Sequence, residues 1–211
     1  MVPGGEVTLG MTIEVVARFV VVAAALTQML AGLAVLVRQV VSRRPAPTER
    51  LRGPLGYVNF AGLAGFVVLA PIVDITGIGA WSGVPGVGGE AARVVGIVVL
   101  ASAGLLAAAG VRAMGRHLVA PAEVRPDTEL ITSGPFGLVR HPLYDSILML
   151  WIGGALALLS PLMAVGAAAF VPAIRMRALA EERLLARHFG DAWSAYAARV
   201  PMLVPTIRRS R

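Results

Sequence analysis

The sequence predicts an all-α polytopic transmembrane bundle of about five membrane helices, with a C-terminal helical hairpin and a cytoplasmic helical tail. Three observations predict it. Hydrophobic residues make up 57% of the chain and charged residues only 15%, whereas soluble domains are nearer half apolar and a quarter charged. Four runs, 19–37, 57–73, 94–111 and 146–174, carry no charge, and one crossing of the hydrocarbon takes about 20 mostly apolar residues. The arginines gather in alternate loops beside these runs, the pattern that the positive-inside rule produces. At 211 residues the chain reads as one integral membrane domain, 1–211. Its first three membrane helices fall within 1–111 and its chemistry-bearing region within 112–205.

The first helix is expected over 19–37 plus flanking residues. Residues 1–11 hold Glu6 and no basic residue, so no cleavable leader is expected. The loop at 42–56 carries Arg43, Arg44, Arg50 and Arg52 and is expected in the cytoplasm. The loop at 75–92 has Glu90 and no arginine, which places it outside. Arg112, Arg116, Arg125 and Arg140 bring the loop at 112–142 back to the cytoplasm. The tail after 174 adds Arg175, Arg177, Arg183, Arg187, Arg199, Arg208, Arg209 and Arg211 on that side. The N-terminus is then outside and the C-terminus inside, in the inner or plasma membrane of a prokaryote.

This alternation constrains the run 146–174, whose two flanks lie on one side. As a single helix its 29 residues would span about 43 Å at about 1.5 Å per residue. Ser160-Pro161 sits in its middle, and proline breaks an interior helix. Two short crossings joined by a tight turn are expected. The following stretch, 175–189, has Met176, Leu179, Leu184 and Leu185 near helical spacing. Gly190 can end that helix, Asp191 can cap the next, and Pro201 and Pro205 can stop it.

The net charge is +7, with no lysine. Because the arginines flank apolar runs, topology accounts for this charge and no nucleic-acid partner is expected. The chain has no cysteine, which excludes disulfides, thiolate catalysis and cysteine metal sites.

Two features carry chemistry. "GPFGLVRHPLYDS", 134–146, sets Arg140, His141 and Tyr144 at the entrance of the fourth membrane helix, with Pro142 suited to its first turn. These side chains read equally as interfacial anchors. "ALAEERLL" holds Glu181 and Glu182, which point about 100° apart on a helix. A solvated helix with intrahelical charge pairs, one of them to Arg177, is the simplest reading of that pair alone. The predicted topology brings both features to one membrane boundary, where ionisable groups are candidates for a functional site.

"RHPLY" at 140–144, "EE" at 181–182, the lead-in "ELITSGPFGLV" and the tail "EERLLARHFGDAWSAYAARVPMLVP" together resemble the isoprenylcysteine carboxyl methyltransferase family and its phospholipid-methyltransferase-like relatives. The resemblance covers about 112–205. It implies S-adenosylmethionine as methyl donor, with S-adenosylhomocysteine as product and no metal. It implies cofactor contacts from His141, Leu143, Tyr144, Glu181 and Glu182. Arg140 and Glu182 are the candidate catalytic residues, Arg140 holding a carboxylate of substrate or cofactor. Either glutamate suits the cofactor's ammonium. Asp145, Trp151, Tyr196 and Arg199 are the candidate acceptor contacts, Tyr196 and Arg199 as a lid. Asp145 and Ser146 stand where the family has small residues, and Phe136 where tyrosine is commoner. Asp145 also suits a helix-start charge or a partner for Arg140.

The expected partners are membrane lipids and a lipophilic or small acceptor: a carboxylate, an amine or a thiol. Two rivals remain. A sterol-reductase-like enzyme would use NADPH and need more basic residues and a longer chain. A non-catalytic accessory protein would bind the donor without turnover. Weaker signals carry no site. "GVPGVGGE", 83–90, lacks the Gly-Lys-Ser/Thr ending of a phosphate loop and reads as a turn. His117 and His188 have no second ligand at helical spacing. Asp74 is expected in solvent, and Gly32, Gly62, Gly65, Gly104 and Gly110 at helix contacts. Trp81 and Trp151 suit membrane anchors.

Overall fold

The structure is a computed structural model that describes residues 4–41, 47–51, 53–78, 87–118 and 123–203. The expectations for Trp81, the turn at 83–86, Arg43, Arg44, Arg52 and the chain beyond Leu203 fall outside these residues. Six helices are described: α1 (Gly4–Val41), α2 (Val58–Thr76), α3 (Val87–Met114), α4 (Pro142–Ala157), α5 (Pro161–Phe189) and α6 (Asp191–Ala197). Two short strands, β1 (Glu49–Arg50) and β2 (Glu123–Val124), pair antiparallel.

Four stretches are long and apolar enough to cross a membrane: Gly10–Val35, Pro54–Thr76, Gly88–Met114 and Pro161–Phe189, with mean hydropathy from 1.5 to 2.4. Large apolar side chains face outward on all four, among them Phe19, Ile75, Leu105 and Val165. Such faces are stable in lipid, and helices satisfy their own backbone groups there. This is an integral membrane protein. The remaining long apolar helix, α4, has only 16 residues, about 24 Å at about 1.5 Å per residue.

The break in the run 146–174 lies at Ser160-Pro161, as expected. Ser160 caps α5 by accepting the Met163 amide N–H at 3.2 Å, and Pro161 opens the helix. Leu159 turns the chain with φ of 47°. The expectation of two short arms followed by a separate tail helix is corrected. Only α4 is short, and α5 continues through Pro172 to Phe189. One interior proline removes one backbone bond, which helices packed in membranes tolerate. Gly190 ends α5 and also occupies the N-cap of α6, so Asp191 is a first-turn residue and not the cap.

The core lies between α4 and the helices around it. Phe66, Leu100, Leu150 and Met163 are fully buried there. The closest approach is between α3 and α4. A Cβ on Gly96 would lie 2.5 Å from the Ala157 nitrogen and 2.8 Å from the Gly153 oxygen, so the two backbones touch. Of the expected contact glycines, Gly62 abuts the Phe170 ring, Gly110 abuts Leu143, and Gly65 faces Trp151. Gly32 and Gly104 sit at ordinary packing distance from Leu63 and Thr27. Gly96 and Gly153 were not singled out by the sequence.

The bundle has two polar ends. At one, Arg18 bonds Glu14 at 2.8 Å and Asp74 at 3.0 Å. Arg93 donates to the Ala157 carbonyl at 2.8 Å, closing the C-terminus of α4. Asp74 is therefore ion-paired and not simply solvated. At the other end β1 and β2 tie together the two arginine-bearing loops, and Arg187 on α5 pairs with Glu49. The chemistry-bearing residues lie at this second end.

Candidate functional site

Pro142 starts α4, as the sequence predicts, and His141 stands at its N-cap. One helical turn then carries Tyr144 back beneath His141. Their rings stack at 4.9 Å with 6° between the planes. The hairpin brings α5 alongside, and the two glutamates divide the doorway between them. Glu182 accepts from Arg140 Nε at 2.7 Å and lies 3.3 Å from His141 Nε2. Glu181 accepts the Tyr144 hydroxyl. Their separation of about 100° on the helix lets neighbouring carboxylates serve different partners.

Arg140 joins the doorway to the tail. Its Nη1 donates to the carbonyls of Ala197 at 2.9 Å and Val200 at 2.5 Å. The backbone repeats the join: the Arg140 N–H donates to Pro201 at 2.8 Å, and the His141 N–H to Met202 at 3.1 Å. Tyr196 donates its hydroxyl to the Phe136 carbonyl at 2.7 Å. Burial pushes that hydroxyl up to about 12, against the pull of Arg140 and with the help of Glu182. It stays a neutral donor at any ordinary pH. Trp193 on α6 lies beneath the Arg140 guanidinium, 5.9 Å from it.

A cavity of about 190 Å³ opens beside this network. Its polar wall includes Arg140, His141, Tyr144, Arg177 and Glu181, and Leu143 and Tyr196 also line it. Apolar residues of α1, α2 and α4, such as Val35, Leu63 and Ile147, make the opposite wall. The structure thus brings together seven of the predicted site residues, with Glu182 behind Arg140 and His141.

Three predicted acceptor contacts lie elsewhere. Trp151 is corrected from cavity wall or membrane anchor to core. It is buried between Phe66 and Phe170 and donates Nε1 to the Gly62 carbonyl at 3.0 Å. Arg199 is exposed in the turn after α6 and bonds back to the Ala195 carbonyl of that helix. Asp145 is buried in the first turn of α4, outside the cavity wall. That position matches the helix-start charge considered for it.

Sequence reasoning missed Arg177 and His117. Arg177 is 3% exposed, donates to the Leu55 carbonyl at 2.6 Å and lies 5.4 Å above the Tyr144 ring. Its position four residues before Glu181 puts it on the same helix face, which was the available signal. His117 lines the cavity with Glu129 3.6 Å away, and its loop position gave no signal.

A nickel-cobalt-cadmium resistance protein, NccN, of Alcaligenes xylosoxydans xylosoxydans is 36% identical over 84 residues. The aligned part is 39% of this chain and 39% of that protein. Residues 91–192 match the family described as phospholipid methyltransferase, the relation that the RHPLY and EE motifs imply. The match runs from α3 into α6, encloses both motifs, and supports a membrane methyltransferase. The stretch that carries both motifs of the site is thus similar to the phospholipid methyltransferases.

Proposed function

We propose that this chain is an S-adenosylmethionine-dependent methyltransferase acting on a lipophilic or small acceptor at the cytoplasmic membrane face. One observation carries the reading. Tyr144 and His141, fixed by Glu181 and Glu182, form one wall of a cavity whose other wall is apolar membrane helix.

The residues present fit the cofactor. Of the carboxylates that line the cavity, Glu181 is the one bonded to Tyr144, and it would hold the cofactor's ammonium group. Arg177 has a buried Nε without a hydrogen-bond partner among the described residues, and would hold its carboxylate, a pairing that guanidinium geometry favours. The stacked His141 and Tyr144 rings offer a flat face for adenine, with Leu143 beside them. When bound, the cofactor supplies a methyl group already activated on a sulfonium. The protein's own task is to bind, orient and exclude water. Glu182 has its partners in Arg140 and His141, so it and Arg140 are positioning residues in this reading. They hold the RHPLY turn and the tail as one unit. Tyr196 covers the site from the tail, while Arg199 has no part in it.

The test is calorimetric binding of S-adenosylhomocysteine to the purified chain in detergent, beside Glu181→Gln and His141→Ala. Micromolar binding that weakens at least tenfold in both variants supports the reading. A folded wild-type protein that binds neither S-adenosylhomocysteine nor S-adenosylmethionine ends it.

A further inference from the structure

Two amide side chains that line the cavity each carry a buried polar atom with no hydrogen-bond partner among the described residues. Gln28 on α1 is 5% exposed, and its Nε2 has no hydrogen-bond partner among the described residues. Asn59 on α2 has a buried Oδ1 in the same condition. Both line the cavity that holds His141, Tyr144 and Glu181. Their surroundings are apolar: Ala31, Val35, Phe60 and Leu63 belong to the same wall. Both residues precede the matched stretch 91–192, so neither family motif accounts for them.

An unpaired buried amide destabilises a fold, and native structures leave few of them. Two in one cavity point to a ligand that completes them. The chemistry of that ligand follows from the two atoms. Gln28 Nε2 needs an acceptor, and Asn59 Oδ1 needs a donor. A carboxylate has no proton for Asn59, and an ammonium has no lone pair for Gln28. A hydroxyl has both, and so does an amide. We propose that Gln28 and Asn59 form the acceptor subsite, which binds a lipophilic molecule through a neutral hydroxyl or amide group. The apolar wall takes its hydrocarbon. Calling that molecule the methyl acceptor rests on the methyltransferase reading, while the subsite itself does not.

The experiment measures equilibrium binding of radiolabelled 1-decanol to the full chain in detergent. Decane, decanoate and decylamine are the competitors. Binding of S-adenosylhomocysteine and the melting temperature are followed in parallel for wild type, Gln28→Leu, Gln28→Met and Asn59→Leu. The wild type is expected to prefer 1-decanol over the other three by about tenfold, the worth of roughly one well-made hydrogen bond. The variants are expected to lose that preference, keep affinity for S-adenosylhomocysteine within about twofold, and melt no lower than wild type.

Equal competition by decane in the wild type overturns the proposal, because water then satisfies both amides. A preference for decanoate or decylamine overturns the neutral-group assignment. Loss of S-adenosylhomocysteine binding in the leucine variants would give the amides to the cofactor instead, and a fall in melting temperature would give them a structural role. The wild-type competition stands even where a variant fails to fold. Selective 1-decanol binding without S-adenosylhomocysteine binding would remove the methyltransferase reading and leave the subsite standing.

Discussion

Arg140→Lys isolates what the guanidinium does at the junction of doorway and tail. The wild-type side chain makes three bonds from one planar group: Nε to Glu182 at 2.7 Å, and Nη1 to Ala197 and Val200 at 2.9 Å and 2.5 Å. It is 12% exposed, so these bonds are only weakly screened. A lysine ammonium keeps the charge but is a point on a flexible stem, and cannot reach a carboxylate on α5, the last carbonyl of α6 and the Val200 carbonyl at once. Charged hydrogen bonds contribute about 1.5–3 kcal/mol each, and losses within one network do not add in full. The expected cost of docking the tail is about 2–3 kcal/mol, or roughly 30- to 150-fold in the local opening equilibrium. Hydrogen exchange reads this directly, because the Arg140 and His141 amides are bonded to Pro201 and Met202. Both amides should exchange faster by that factor, while amides in the middle of α3 stay unchanged. Unaltered exchange at 140 and 141 would refute the reasoning, since the tail would then be held by its apolar contacts alone.

Tyr144→Phe keeps the stack on His141 and removes the bond to Glu181, so affinity for S-adenosylhomocysteine should fall about tenfold by calorimetry. Equal affinity would mean that Glu181 needs no orienting partner. Gly96→Ala sets a methyl against the backbone of Ala157 and Gly153 and should destabilise by about 1–3 kcal/mol. Gly104→Ala, facing Thr27 at 3.8 Å, should leave the melting temperature nearly unchanged, and equal effects at the two sites would refute the α3–α4 contact. Trp151→Phe removes the indole bond to the Gly62 carbonyl and shrinks a buried ring, and should cost about 1–3 kcal/mol in stability. It should leave S-adenosylhomocysteine binding intact, and a binding loss without a stability loss would put Trp151 back at the cavity.

Much of this protein was legible because lipid imposes simple rules. A charge-free run of about 20 residues has few other uses, so the first three crossings could be read directly. Pro142 and Pro161 marked two helix starts because proline suits a first turn. The motif residues could be placed at one end because arginine-rich loops alternate with apolar runs. The continuity of α5 was not legible. Proline normally argues for a break, and Pro172 is tolerated only because neighbouring helices support the helix around it.

The site divides the same way. The sequence by itself determined the membrane class, the hairpin turn at Ser160-Pro161, and the pairing of a doorway at 140–144 with carboxylates at 181–182. Those follow from local composition and from connectivity, which are properties of neighbours along the chain. Only the tertiary structure decided which glutamate meets which partner, that Trp151 belongs to the core, and that Arg177, Gln28 and Asn59 face the cavity. Those depend on how each helix is rotated about its axis. Here that rotation is set by contacts such as Gly96 against Ala157, between residues about sixty positions apart, and no periodicity along one segment records them.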